Sequence, residues 1–195
     1  MMPAGDHHVM RAAEKASTTE AAAACLQTLR ALAGRPDSAM ERHCLRVYEI
    51  ACESGARRGI TLDRELMLCA AWLHDAGLYP GAASADAYVA DGRRLAERVL
   101  AGFHWPPERL ERLGDAIERH HELRPQWRKG AEVELLRRAD LVDVSGGLVR
   151  YGLDREWLHA LAERVPRRGM FKEIGGLVVT AARQRPRTLP AIFLR

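Results

Sequence analysis

A chain of 195 residues, 47% hydrophobic and 29% charged, is long enough to bury one good-sized core, and no Pro/Gly/Ser-rich linker divides it, so a single domain is expected. The formal charge of +4 comes from Arg and Lys scattered through the helical patterns without a basic run or interleaved aromatics. This argues against a polymeric nucleic-acid partner and is compatible with an anionic small-molecule substrate. No window approaches 18 uninterrupted apolar residues, and the first 16, MMPAGDHHVMRAAEKA, lack the apolar stretch of a secretory signal. The expectation is a cytoplasmic protein with no membrane partner: a loosely ordered segment over 1–16, then one domain over 17–195.

Apolar residues recur at helical spacing over 17–32, 38–55, 61–76, 84–103, 107–121, 131–149, 154–164 and 170–183, and no window alternates long enough for a strand. The predicted fold is an all-α, single-domain helical bundle. In the first helix the run at 21–24 is all alanine, which favours helix. The second opens on Ser38 with Glu41, a capping-box signature, and carries His43 in line with Met40, Val47 and Ile50, so His43 faces the core. Thr61, Asp63 and Glu65 mark the start of the third, which ends in AAWLHDAGLYPG (70–81). There His74 and Asp75 stand side by side after an apolar run. Successive helical residues point about 100° apart, so the two can serve one ion only where the helix is ending, and Gly77 is read as that ending. Cys25, Cys44, Cys52 and Cys69 form no C-x-x-C pair, lie inside these apolar patterns and are read as buried thiols.

Pro106-Pro107 suits the first turn of the 107–121 helix. Its stripe of Leu110, Leu113 and Ile117 carries His120 and His121 toward the buried side, with His121 better aligned and His120 nearer the edge. In 131–149, Asp140 sits among Val133, Leu136 and Val144 in the apolar stripe. Each inward polar residue alone could be a hydrogen-bonded core group. Together, four helices delivering His or Asp to one interior are reconciled by convergence on a divalent ion, since an unpaired buried carboxylate or imidazole costs several kcal/mol. A mixed set of imidazoles and carboxylates suits Zn, Mn, Fe, Co or Ni, one ion per chain.

His43, the pair His74-Asp75 and Asp140, with the phrases HCLRVYEIA (43–51), AAWLHDAG (70–77) and RRADLVDVSG (137–146), resemble the H…HD…D signature of the HD-domain superfamily of metal-dependent hydrolases across roughly 38–146. YVADGRRLAERVL (88–100) followed by AIERHHE (116–122) is most similar to the branch that includes cyanamide hydratase. The resemblance implies a metal held by His43, His74, Asp75 and Asp140, with water completing its coordination. Asp75 would also orient that water. His120 or His121 would serve as proton donor on the substrate side, and Arg46, Arg124 or Lys129 would neutralise an anion, unless these cations only solvate a surface.

The pattern also departs from the superfamily. Two-iron members use two further, well-separated histidines between the HD pair and the last Asp. Here 76–103 has none, which disfavours a dinuclear site. Leu78 stands where related nucleotidases often carry a Glu, and Asp143 rivals Asp140 as last ligand. Three functions follow: a phosphohydrolase acting on a nucleotide or other phosphate ester, a hydratase or lyase acting on a small nitrile-like or uncharged substrate, and a non-catalytic metal-binding regulatory module. A homodimer is compatible with all three.

Overall fold

A computed structural model describes residues 12–84 and 87–184. The predicted loose segment over 1–11 lies outside the described residues. Residues 12–16 are helical rather than loose, and Ala13 is fully buried. Beyond them come α1 (Glu20–Ala33), α2 (Ala39–Ala56), α3 (Arg64–Leu73), α4 (Tyr88–Leu100), α5 (Pro107–Glu118), α6 (Ala131–Val144), α7 (Arg155–Arg164) and α8 (Met170–Gln184), with short 3₁₀ turns between several of them. No strand occurs among the described residues.

Local chemistry sets the helix starts. Ser38 Oγ accepts the Glu41 N–H at 3.0 Å, while the Glu41 carboxylate reaches past the cap to the Asp37 N–H at 2.9 Å and is clamped by Arg30. The start of α3 is Asp63 rather than Thr61: the Asp63 carboxylate accepts from Leu66 N. Pro107 occupies the first turn of α5, where its missing N–H costs nothing.

The ends of α3 and α5 fall short of the predicted 76 and 121. His74 Nδ1 bonds the Ala71 carbonyl at 2.8 Å, and His120 Nδ1 bonds the Ile117 carbonyl at 2.6 Å. In a continuing helix those carbonyls would accept the N–H groups of residues 75 and 121. At α3 the imidazole takes the acceptor that the Asp75 N–H would need and the helix stops; α5 has already ended, its last helical bond being Arg119 N–H to the Asp115 carbonyl, and the His120 ring fixes the turn beyond it. Gly77 is not the terminator. It lies in the 3₁₀ turn Ala76–Leu78, and a Cβ there would run into the backbone of Tyr88 and Gly92, so glycine is required by the close approach of α4.

Packing then gathers the site. α2 and α6 share the most extensive helix contact, and α3 touches α1, α2, α4, α5 and α6. Trp72 is wholly buried and ties α3 to the N-terminal segment through Nε1–H to Ser17 Oγ at 3.1 Å. Cys25, Cys44 and Cys69 are buried free thiols, and Cys52 is half-buried. At the other end α8 packs on α2, and its Glu173 carboxylate accepts from the N–H groups of Ala39 and Met40 at the start of α2.

Candidate metal centre

Three histidines present their Nε2 atoms inward because their Nδ1 atoms are occupied. A backbone carbonyl can only accept, so Nδ1 of His74 and of His120 carries the hydrogen, and Nε2 is the free lone pair when the ring is neutral. His43 Nδ1 lies 2.8 Å from Asp143 Oδ2, which likewise turns its Nε2 to the interior. The two rings from α2 and the end of α3 meet with Nε2 atoms 3.2 Å apart. Around them stand Asp140 Oδ1, at 3.3 Å from His43 Nε2 and 3.8 Å from His74 Nε2, and Asp75 Oδ2, at 3.8 and 3.5 Å from the same two atoms.

These separations suit a common ion. Neighbouring ligand atoms held about 2.0–2.1 Å from one cation lie roughly 2.8–3.4 Å from each other in octahedral or tetrahedral arrangements, within a few tenths of an ångström of these separations. The charge balance agrees: Asp75 and Asp140 are 6% and 3% exposed, yet among the described residues neither pairs with an Arg or Lys, and the ionisable bases beside them are imidazoles. Without a cation, protons take that part. Burial lowers the His43 value, but the Asp140 and Asp143 carboxylates more than offset it and hold the imidazole at about 10. Burial likewise opposes the shift at His120, which Asp75 nevertheless raises. His74 is pulled below its ordinary value by burial, and His121 falls to about 4 through burial and the adjacent His120. Burial works against ionisation of Asp75 and Asp140, yet the imidazoles hold both below the usual carboxylate range.

The remaining carboxylate oxygens face a second cluster. Asp75 Oδ1 is 3.4 Å from His120 Nε2, and Asp140 Oδ2 is 3.6 Å from His121 Nδ1. His120, His121 and Asp140 therefore form a further donor group beside His43, His74 and Asp140. The sequence argument against a second ion rested on the histidine-free stretch 76–103; the adjacent pair at 120–121 reaches the site instead, because α5 stops before it.

Several assignments change. His120, not His121, is the buried member of its pair: its side chain is fully enclosed, whereas that of His121 is 36% exposed. Extrapolating the stripe of α5 fails because the helix ends at Glu118. Arg46 is no substrate cation. It is fully buried, pairs with Asp143 through Nε and Nη2 at 2.7 and 2.8 Å, and donates through Nη1 to the Val165 and Pro166 carbonyls. Lys129 pairs with Asp115 at 3.1 Å, and Arg124 is exposed; neither touches the donor residues. Asp143 accepts from His43, Arg46 and Arg167, so it supports a donor rather than joining the donor set, while Asp140 faces the interior. The stripe on α6 placed Asp140 inward and left Asp143, three residues on, as its rival; it could not say which would meet Arg46. Tyr88, whose hydroxyl is 3.1 Å from His120 Nε2, was legible only as an apolar position at the start of α4.

No curated protein matches the sequence. A family model, the HD domain, matches residues 40–145, a span running from the first turn of α2 to the end of α6 and containing His43, His74, Asp75, His120, His121 and Asp140. On that match, and on the all-helical frame that carries these residues, the chain belongs to the HD domain family.

Proposed function

We propose that the protein is a metal-dependent phosphohydrolase acting on a nucleotide or another phosphate ester. The observation that carries this reading is the meeting of four lone-pair atoms, His43 Nε2, His74 Nε2, Asp75 Oδ2 and Asp140 Oδ1, around buried carboxylate charge that no Arg or Lys among the described residues compensates. These residues would hold one divalent transition metal, which when bound lowers the pKa of a coordinated water and polarises the bond under attack. The chain's own groups do the rest. Asp143, accepting from His43 Nδ1, fixes that ring and raises its basicity. Asp75 splits its two oxygens between the ligand cluster and His120, so it orients a water hydrogen while holding His120 in register. In its protonated form His120, with Tyr88 beside it, would hand the Nε2 proton to the departing oxygen, and the partly exposed His121 would line the approach from solvent.

One observation favours a second reading. Arg46 and Lys129 are engaged with carboxylates away from the donors, and Arg124 reaches none of them, which suits hydration of a small nitrile-like or otherwise uncharged substrate. The test is turnover by protein loaded in turn with Zn, Mn, Fe, Co and Ni on a panel of nucleotides, phosphate esters and nitriles. Phosphate release supports the first reading and amide formation the second. Metal-loaded protein inert on every class is the result expected of a non-catalytic binding module.

A further inference from the structure

We propose that Tyr88 limits this centre to a single ion: its hydroxyl hydrogen occupies the lone pair on His120 Nε2 and so keeps the second donor cluster from closing on a cation. The inference rests on the metal-binding reading above and specifies how many ions the site takes.

The argument begins with the supply of donors. Asp75 and Asp140 each direct one oxygen to the His43–His74 side and the other to the His120–His121 side. By count of imidazoles and carboxylates the two sides are equivalent, and a two-ion centre bridged by both carboxylates would be expected. The sides differ in what occupies the nitrogen lone pairs. On the first, His43 Nε2 and His74 Nε2 face each other at 3.2 Å with both Nδ1 atoms engaged elsewhere, so no hydrogen-bond donor serves either lone pair once the rings are neutral. On the second, a donor is present. His120 Nδ1 is fixed on the Ile117 carbonyl, which leaves Nε2 as its acceptor, and the Tyr88 hydroxyl stands 3.1 Å from that atom.

The phenol cannot be turned aside cheaply. Tyr88 is 3% exposed, in the first turn of α4, where Gly77 and Gly92 bring the backbone of α3 and α4 into contact. Its hydroxyl has one hydrogen and two acceptors in reach, His120 Nε2 and the Asp75 carboxylate. With a cation on the first side, the Asp75 charge is neutralised and the imidazole is the stronger acceptor. A metal ion and a hydroxyl hydrogen cannot share one nitrogen lone pair, so binding a second ion through His120 would leave the buried phenol only the Asp75 carboxylate, whose charge the two ions would already share. Trading a good acceptor for a poorer one in a buried site is unfavourable. His121 Nδ1 and the second oxygens of the two shared carboxylates then remain, on the side where His121 is partly open to water.

The experiment is ion counting rather than turnover. Parent, Tyr88→Phe, His120→Ala and the double variant are loaded with excess Mn(II), desalted, and measured for metal per chain by elemental analysis and by Mn(II) electron paramagnetic resonance. The expected result is one ion per chain in the parent with an uncoupled Mn(II) spectrum, two exchange-coupled ions in Tyr88→Phe, and one ion in His120→Ala and in the double variant. Two ions in the parent, or one ion in a folded Tyr88→Phe protein, overturns the proposal while leaving the metal-binding reading intact. A parent that binds no ion overturns both. Should Tyr88→Phe fail to fold, His120→Ala decides: the parent's single ion retained supports the proposal, and loss of an ion makes His120 a ligand and refutes it.

Discussion

Replacing Asp143 by Asn separates the support of the candidate centre from the centre itself. The Asp143 side chain is fully buried and accepts from His43 Nδ1 at 2.8 Å, from Arg46 at 2.7 and 2.8 Å, and from Arg167 Nε at 3.1 Å. An amide keeps one acceptor oxygen but turns an NH₂ toward a donor that was satisfied. The wholly buried Arg46 guanidinium then loses its counter-charge, and breaking a buried pair from one side costs about 3–5 kcal/mol. For a protein of this size each kcal/mol lowers the melting temperature by about 2–4 °C, so metal-free Asp143→Asn should melt roughly 6–20 °C below the parent. Metal affinity should fall about 10–100-fold, the usual consequence of losing a group that orients a ligand. Asp140→Asn should show the opposite balance: a loss of at most about 1–3 kcal/mol without metal, and the larger loss of affinity. Thermal denaturation in chelator, with competition against a chromophoric chelator, measures both. A control, Asp143→Leu with Arg46→Met, removes both charges and should regain most of the stability while metal affinity stays low. Metal-free Asp143→Asn as stable as the parent would refute the reasoning, as would weaker metal binding in Asp143→Asn than in Asp140→Asn.

Asp75→Asn should abolish metal retention and any turnover while preserving helical circular dichroism, since the amide is nearly isosteric but a poor ligand; a variant that keeps its metal removes Asp75 from the donor set. Glu134 gives a pH signature: burial opposes its ionisation, yet Arg137, the Gln126 N–H and Arg138 bring it from 4.5 to about 2. A folded value below the unfolded one means stability present above about pH 4.5 and lost as pH falls toward 2, so Glu134→Gln should flatten that limb in urea titrations of metal-free protein; equal acid losses in the two proteins would exclude this role. Gly77→Ala forces a methyl against the Tyr88 and Gly92 backbone, which should cost about 1–3 kcal/mol or more and lower the melting temperature accordingly; unchanged melting would show that α4 shifts freely.

The helical class, the eight main segments and the inward faces of His43 and Asp140 followed from residue spacing alone, because one buried face of a helix imposes a 3.6-residue period whatever it packs against. The H…HD…D order was equally a matter of sequence, since a family signature is read along the chain. What spacing could not give was where α3 and α5 stop. The end of α3 depends on His74 capturing the carbonyl three residues back, and the turn after α5 is fixed by His120 in the same way, which the apolar pattern does not encode. From these endings follow both adjacent pairs at the centre and the exchange of roles between His120 and His121. Arg46 shows the same limit. On the sequence it was a cation near a ligand histidine, and only the packing of α2 against α6 put Asp143 beside it and enclosed both. Periodicity states which face is buried; which charge meets which is decided by the neighbouring helix, because the cost of an unpaired buried charge is settled only when its partner arrives.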